Sequence, residues 1–151
     1  MKLLVSCGTT PFFSLASEVS RIFSKSKIFN EIILQEVSEP CLSNGNVSHI
    51  KLYKDQDYFF SDADLVVSHA GAGTVYFLLS NNYKFVIVPN LERTDKHQIE
   101  LARFVERNNF AEVCYDVANL DWHVNKCLKS NYNKYKSVSF KTDEFYNNFM
   151  G

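Results

Sequence analysis

The sequence predicts an α/β fold, a Rossmann-like parallel sheet with helices on both faces. Three observations point there. Short apolar runs alternate along the chain with longer stretches of helical spacing, the order expected of βαβ units. Two of the runs, Leu65-Val66-Val67 and Phe85-Val86-Ile87-Val88, are apolar at every position, as a strand covered on both sides must be. The first of them passes through a loop of small residues, His69-Ala70-Gly71-Ala72-Gly73-Thr74, straight into a helical pattern.

Each element has its own justification. Lys2 to Ser6 is a short strand, and the loop Gly8-Thr9-Thr10-Pro11 follows it. Phe13 to Phe23 is a helix, with Phe13, Leu15, Ala16, Val19, Ile22 and Phe23 at helical spacing. Glu31 to Val37 is a strand centred on Ile32, Ile33 and Leu34, and Pro40 with Asn44-Gly45-Asn46 marks a loop after it. Val47 to Tyr53 alternates apolar and polar residues, which suits an outer strand, and Tyr58 to Ala63 is a short helix. Pro89 closes the strand Phe85 to Val88. A polar loop then leads to a helix over Gln98 to Arg107 that buries Ile99, Leu101, Ala102 and Val105. Ala111 to Tyr115 is a final strand, and Leu120 to Leu128 and Phe140 to Phe149 are terminal helices. The 151 residues form a single domain, with a core over about residues 1–128 and a helical tail over about residues 140–150.

Composition narrows the function. A net charge of -1 provides no global basic field, so no nucleic-acid partner is expected. The 13 Phe and 8 Tyr are an excess that either fills the core or covers a partner surface. The cysteines, Cys7, Cys41, Cys114 and Cys127, form no CxxC pair, and no His/Cys spacing suggests a metal site. The strand at Lys2 leaves no room for a signal peptide before it, and free thiols suit a reducing cytoplasm. No apolar run approaches the roughly 20 residues that a membrane helix needs.

Function concentrates between Ser68 and Ala102. Small residues let backbone come close to a ligand and leave its N–H groups uncovered. A helix N-terminus behind them aims a positive dipole end at a bound anion. Thr74, Asp95, His97 and Gln98 would stand at the carboxyl ends of neighbouring strands, where open α/β sheets bind ligands. A phosphate-bearing ligand follows, and a nucleotide-sugar is the sharper expectation. Simpler readings stand beside this one. His69 is either packed beneath the loop or in contact with phosphate. Gly71 and Gly73 either meet the ligand or only shape the turn. Asp95 is an N-cap candidate, with Lys96 then opening the helix. Gly71-Ala72-Gly73 also starts a dinucleotide-binding pattern, but Tyr76 stands where its third glycine belongs.

Three blocks, VSCGTTPF at the start, SHAGAGT and TDKHQIELA, carry a resemblance. Together they resemble the C-terminal, donor-binding half of family 28 glycosyltransferases, enzymes of the GT-B fold. The chain also resembles the free-standing versions of that half, namely the PssE-like proteins and the small subunit of the eukaryotic dolichyl-diphosphate GlcNAc transferase. The resemblance spans most of residues 1–115. It implies that Gly71, Ala72, Gly73 and Thr74 cradle the donor diphosphate, with His69 beneath them. Asp95, His97 and Gln98 would lie near the donor sugar, Gln98 as reader of its hydroxyls, and Gly8, Thr9 and Thr10 would face the interdomain cleft. Thr9 and Thr10 otherwise only cap the helix that Pro11 opens.

The implied function is the donor-binding subunit of a two-component inverting glycosyltransferase. A UDP-sugar is the donor, a polyprenyl-diphosphate-linked saccharide the acceptor, and no cofactor or metal is implied. No residue here is assigned as catalytic, because the acceptor and its general base belong to the other half. That half would be a separate membrane-anchored subunit holding this chain at the cytoplasmic membrane face. Phe12 and the tail residues Phe145, Tyr146 and Phe149 are candidates for meeting it. One departure stands out. The family carries a Glu three residues after the Thr or Ser of the glycine loop, where it holds the ribose, and here that position is Phe77. A non-catalytic nucleotide-binding module is the alternative that Phe77 leaves open.

Overall fold

A computed structural model describes residues 1–38, 44–94 and 96–136. In chain order the elements are β1 (Lys2–Ser6), α1 (Phe13–Phe23), β2 (Glu31–Gln35), β3 (Val47–Ile50), α2 (Gln56–Phe60) and β4 (Leu65–His69). They continue with α3 (Ala72–Ser80), β5 (Phe85–Val88), α4 (His97–Arg107), β6 (Glu112–Val113) and α5 (Leu120–Lys129), the last entered through a 3₁₀ turn at Val117–Asn119. The six strands form one sheet in the order β3-β2-β1-β4-β5-β6. Every pair in it is parallel.

Each strand feeds the two faces alternately. Leu3, Val5, Leu65, Val67, Val86 and Val88 pack beneath α1 and α5, in a core completed by Leu15, Val19, Leu120 and Val124. Leu4, Val66, Phe85 and Ile87 point the other way, against Val75 and Leu78 of α3 and Leu101 and Val105 of α4. Continuous apolar runs are therefore the signature of a sheet with no wet face. Part of the aromatic excess is spent here: Phe12, Phe29, Phe60 and Phe85 are all at most 1% exposed. Phe12 is thus a core residue of this chain. Its neighbour Phe13, placed by its spacing on the buried face of α1, is 56% exposed instead.

The strand order reverses between β1 and β4, where Ser6 lies opposite Ser68. Chains leave these two strands toward opposite faces, which opens a crevice at their carboxyl ends. The loops after β1 and β4 are the two glycine-bearing segments that the sequence singles out.

Several boundaries differ from those expected. β2 stops at Gln35, short of Val37, because Glu36 turns inward to accept hydrogen bonds from Phe12 N and Ser38 N. β3 ends at Ile50, short of Tyr53, because the Lys51 carbonyl bonds the Gln35 side chain rather than the ladder. α2 runs from Gln56 to Phe60 rather than from Tyr58 to Ala63, since Asp55 caps it by accepting from Tyr58 N at 3.3 Å. β6 is only Glu112–Val113, and α4 opens at His97 with Lys96 in the cap position. α3 and α4 both end on an asparagine in the left-handed region, Asn82 at φ 58° and Asn109 at φ 51°. Each is followed by a bond back along the helix, Tyr83 N to Leu78 O and Phe110 N to Val105 O, as in a Schellman motif. Asp95, Cys41 and the expected helix Phe140 to Phe149 lie outside the described residues.

Phe60 joins α2 to α3 at the centre of an aromatic cluster. Its ring stands 5.7 Å from Tyr53, 4.9 Å from Phe59, 5.8 Å from Phe77 and 6.0 Å from Tyr83. Phe60→Ala should lower the unfolding free energy by about 3–5 kcal/mol, read from urea denaturation, because the ring is fully buried and its neighbours cannot collapse together into the void.

Candidate functional site

β4 runs out at His69, and Gly71 occupies the cap position of α3 with no side-chain cap. The first intrahelical bond is Val75 N to Gly71 O at 2.9 Å. The N–H groups of Ala72, Gly73 and Thr74 therefore have no partner within the helix and point, with the positive dipole end, into the crevice. Thr74 is 8% exposed, and its hydroxyl has no hydrogen-bond partner among the described residues. A pocket of about 300 Å³ opens over this terminus, lined by the β1 loop at Gly8 and Thr9 and by His69 and Gly71 to Thr74. A β-carbon built on Gly73 meets nothing within 4 Å. That glycine does not relieve a clash inside the protein. It keeps the approach to the N–H groups clear.

His69 explains the other two glycines. Its Nδ1 lies 3.2 Å from the Ser6 carbonyl, which only accepts, so Nδ1 carries the proton and Nε2 is bare. The ring is held between the two loops. A β-carbon on Gly8 would stand 2.6 Å from Nε2 and one on Gly71 2.2 Å from it, and Gly8 also has φ +84°. Burial, aided by the positive charge of Arg93, pushes the His69 pKa down to about 4. The imidazole is thus neutral at physiological pH, and its bare nitrogen accepts a hydrogen bond. That suits a ligand hydroxyl better than a phosphate oxygen, itself an acceptor.

Buried polar side chains fix the loops around the pocket. Gln35 Oε1 accepts from Cys7 N and Gly8 N, each at 3.0 Å, and its Nε2 donates to Gly8 O and Lys51 O. Gln98 Oε1 accepts from Ala70 N at 3.2 Å and Asn90 N at 2.9 Å, tying the loop after β4 to the loop after β5. The latter braces the first loop in turn. Asn90 Nδ2 donates to Pro11 O, Ser14 N donates to Glu92, and Arg93 donates to Thr10 Oγ1 at 2.9 Å.

Of the residues expected at the site, Gly8, Thr9, His69, Gly71, Ala72, Gly73 and Thr74 line this one pocket. Thr10 is engaged by Arg93, and the cap position of α1 is Phe12, so neither threonine caps that helix. His97 is exposed at the start of α4, outside the pocket lining. Gln98 is buried, with its carbonyl oxygen committed to two backbone donors. Only its NH₂ has no partner among the described residues. Sequence reasoning missed Gln35, Leu52, Tyr53 and Gln56, which complete the pocket wall, and Arg93. Their elements have no glycine signature, and only the sheet order brings them here. A larger cavity of about 570 Å³ lies between α2 and the sheet, lined by residues such as Lys2, Ile33, Tyr53 and Phe59. It contains neither a glycine loop nor the N-terminus of a longer helix, so size does not mark the site.

The fold is that of one half of a GT-B glycosyltransferase. MurG from Acinetobacter baumannii superposes with a TM-score of 0.65 at 17% identity, over 97% of this chain and 52% of that one. The solution structure of ALG13 superposes with a TM-score of 0.61 at 20% identity, over 95% of this chain and 92% of that one. The model of the glycosyltransferase family 28 C-terminal domain matches residues 3–146, and the chain belongs to that family. Among curated relatives, the human UDP-N-acetylglucosamine transferase subunit ALG13 is 34% identical over 122 residues. That match covers 74% of this chain and 11% of the human protein. The Candida albicans protein of the same name is 24% identical over 115 residues, 68% of this chain and 39% of the relative. The chain thus spans well under half the length of these relatives.

Two outcomes follow from this geometry. Gln98→Ala strands two buried N–H donors, so it should destabilise the fold by about 1–3 kcal/mol in chemical denaturation, while Gln98→Glu, which keeps the acceptor, should lose less. His69 binds a proton near pH 6.5 when unfolded but only near 4 when folded, so the unfolded chain holds more protons between those values. Stability should therefore fall as pH drops from about 6.5 toward about 4, and the slope of unfolding free energy against pH should be shallower in His69→Asn.

Proposed function

We propose that this chain is the donor-binding subunit of a two-component inverting glycosyltransferase that uses a UDP-sugar. The observation that carries the reading is the N-terminus of α3, which has no side-chain cap and lies at Gly71 and Gly73 beside the Thr74 hydroxyl, itself without a partner among the described residues. These groups stand where a nucleoside diphosphate leaves. As an acceptor hydroxyl attacks the anomeric carbon, the bond to the β-phosphate oxygen breaks and negative charge grows on the diphosphate. Preorganised N–H groups and a helix dipole stabilise that charge most when it is fully developed. The attacking hydroxyl must lose its proton to a base, and we assign that base, together with the acceptor, to a separate subunit.

The UDP-N-acetylglucosamine transferase subunits among its relatives support a hexose or N-acetylhexosamine donor. We place the acceptor on a polyprenyl diphosphate and the partner in the cytoplasmic membrane, with this chain peripheral to it. No helix among the described residues is long and apolar enough to cross a membrane, so the membrane contact in this reading is supplied by the partner.

UDP should raise the melting temperature of the chain, the stabilisation growing as RT ln(1 + [L]/Kd). Gly73→Leu should remove that rise without lowering the melting temperature of the unliganded protein, because its side chain enters open space beside the pocket. No thermal shift at millimolar UDP would count against nucleotide binding. A non-catalytic nucleotide-binding module is the second reading, favoured by Phe77 on α3. Sugar transfer by the membrane subunit assayed with and without this chain separates the two, since a module of that kind leaves the partner's rate unchanged.

A further inference from the structure

We propose that Gln56 holds the ribose hydroxyls of the bound nucleotide, an inference that rests on the donor-site reading above. In a nucleoside diphosphate the ribose is one ester bond from the α-phosphate. A diphosphate over the N-terminus of α3 therefore places the ribose against the adjoining wall of the same pocket. One side of that neighbourhood has no polar group to offer. Phe77, on the second turn of α3, turns its ring into the aromatic cluster, 5.8 Å from Phe60 and 6.0 Å from Tyr83, and does not line the pocket.

The facing wall is Leu52, Tyr53 and Gln56. Two polar neighbours on this side of the lining are already engaged. Gln35 uses both ends of its amide on Cys7, Gly8 and Lys51, and the Tyr53 hydroxyl meets Ser6 Oγ at 3.4 Å. Gln56 differs. It is half-buried at the start of α2, and its amide has no hydrogen-bond partner among the described residues. Asp55 caps α2, so the helix start does not need the Gln56 side chain. An amide suits a cis-diol, because its oxygen accepts from one hydroxyl and its NH₂ donates to the other. Being neutral, it does so without repelling the diphosphate beside it. Leu52, 63% exposed on the same lip, offers apolar surface to the base.

The test is calorimetric titration of the full chain with UDP and with 2′,3′-dideoxy-UDP, in wild type and Gln56→Ala, with circular dichroism confirming the fold of both. Gln56→Ala should weaken UDP binding about 5- to 20-fold, the loss of one or two hydrogen bonds, while dideoxy-UDP binds both proteins equally. Equal weakening of both ligands, or no weakening of either, overturns the assignment of Gln56 and leaves the donor site standing. Absence of UDP binding to the wild type overturns the donor-site reading itself, and this inference with it.

Discussion

The imidazole of His69 lies against the α-carbons of Gly8 and Gly71, and the architecture of the site depends on that wedge. The ring sits at the strand-order reversal, bonded to Ser6 at the end of β1 while belonging to the end of β4. The two loops close over it so tightly that neither can carry a β-carbon there. The wedge sets the separation of the loops, and hence the width of the crevice before α3. It also fixes the imidazole tautomer, because a carbonyl accepts and never donates. A neutral ring buried beneath the loop adds no charge of its own, so the positive potential at the mouth of the pocket comes from the backbone N–H groups at the start of α3.

Around the wedge the mouth of the sheet is held by side-chain amides rather than by strand pairing. Strand ladders end where the strands diverge, and the backbone groups beyond them still need partners. Gln35 supplies them for Cys7, Gly8 and Lys51, Gln98 for Ala70 and Asn90, and the buried Glu36 carboxylate for Phe12 and Ser38. Each spans two loops that are distant in sequence. The loops around the pocket are thereby fixed by side chains and not by strand ladders. Polar groups left without partners among the described residues, such as the Thr74 hydroxyl and the Gln56 amide, are then distinguished from those already spent on holding the loops.

Much of this was legible from the chain alone. Leu3 to Val5, Leu65 to Val67 and Phe85 to Val88 could only be buried strands, since an unbroken apolar run has no face to turn to water. The small-residue loop leading into α3 followed from Gly71 and Gly73, whose missing side chains are themselves the signal. Burial on α4 was readable from Leu101, Ala102 and Val105, because helical spacing places them on one stripe. Boundaries such as Gln35 for Val37, or Gln56 for Tyr58, were not readable, because they are decided by hydrogen bonds to residues 20 or more positions away or by a single cap.

By itself the sequence determined what local chemistry determines: which runs are strands, which loop lacks side chains, and that a helix N-terminus follows that loop. The division of labour among its polar residues was decided only by tertiary structure. Gln98 and Gln56 are the same side chain near the start of a helix, and the sequence singled out only Gln98, through the block around it. The sheet order places Gln98 between two orphaned N–H groups, so its oxygen is consumed by the fold. The same order sets Gln56 on the pocket wall, its amide unspent among the described residues. Partners that lie on separate strands meet only once the strands are ordered, and strand order is a property of the whole sheet.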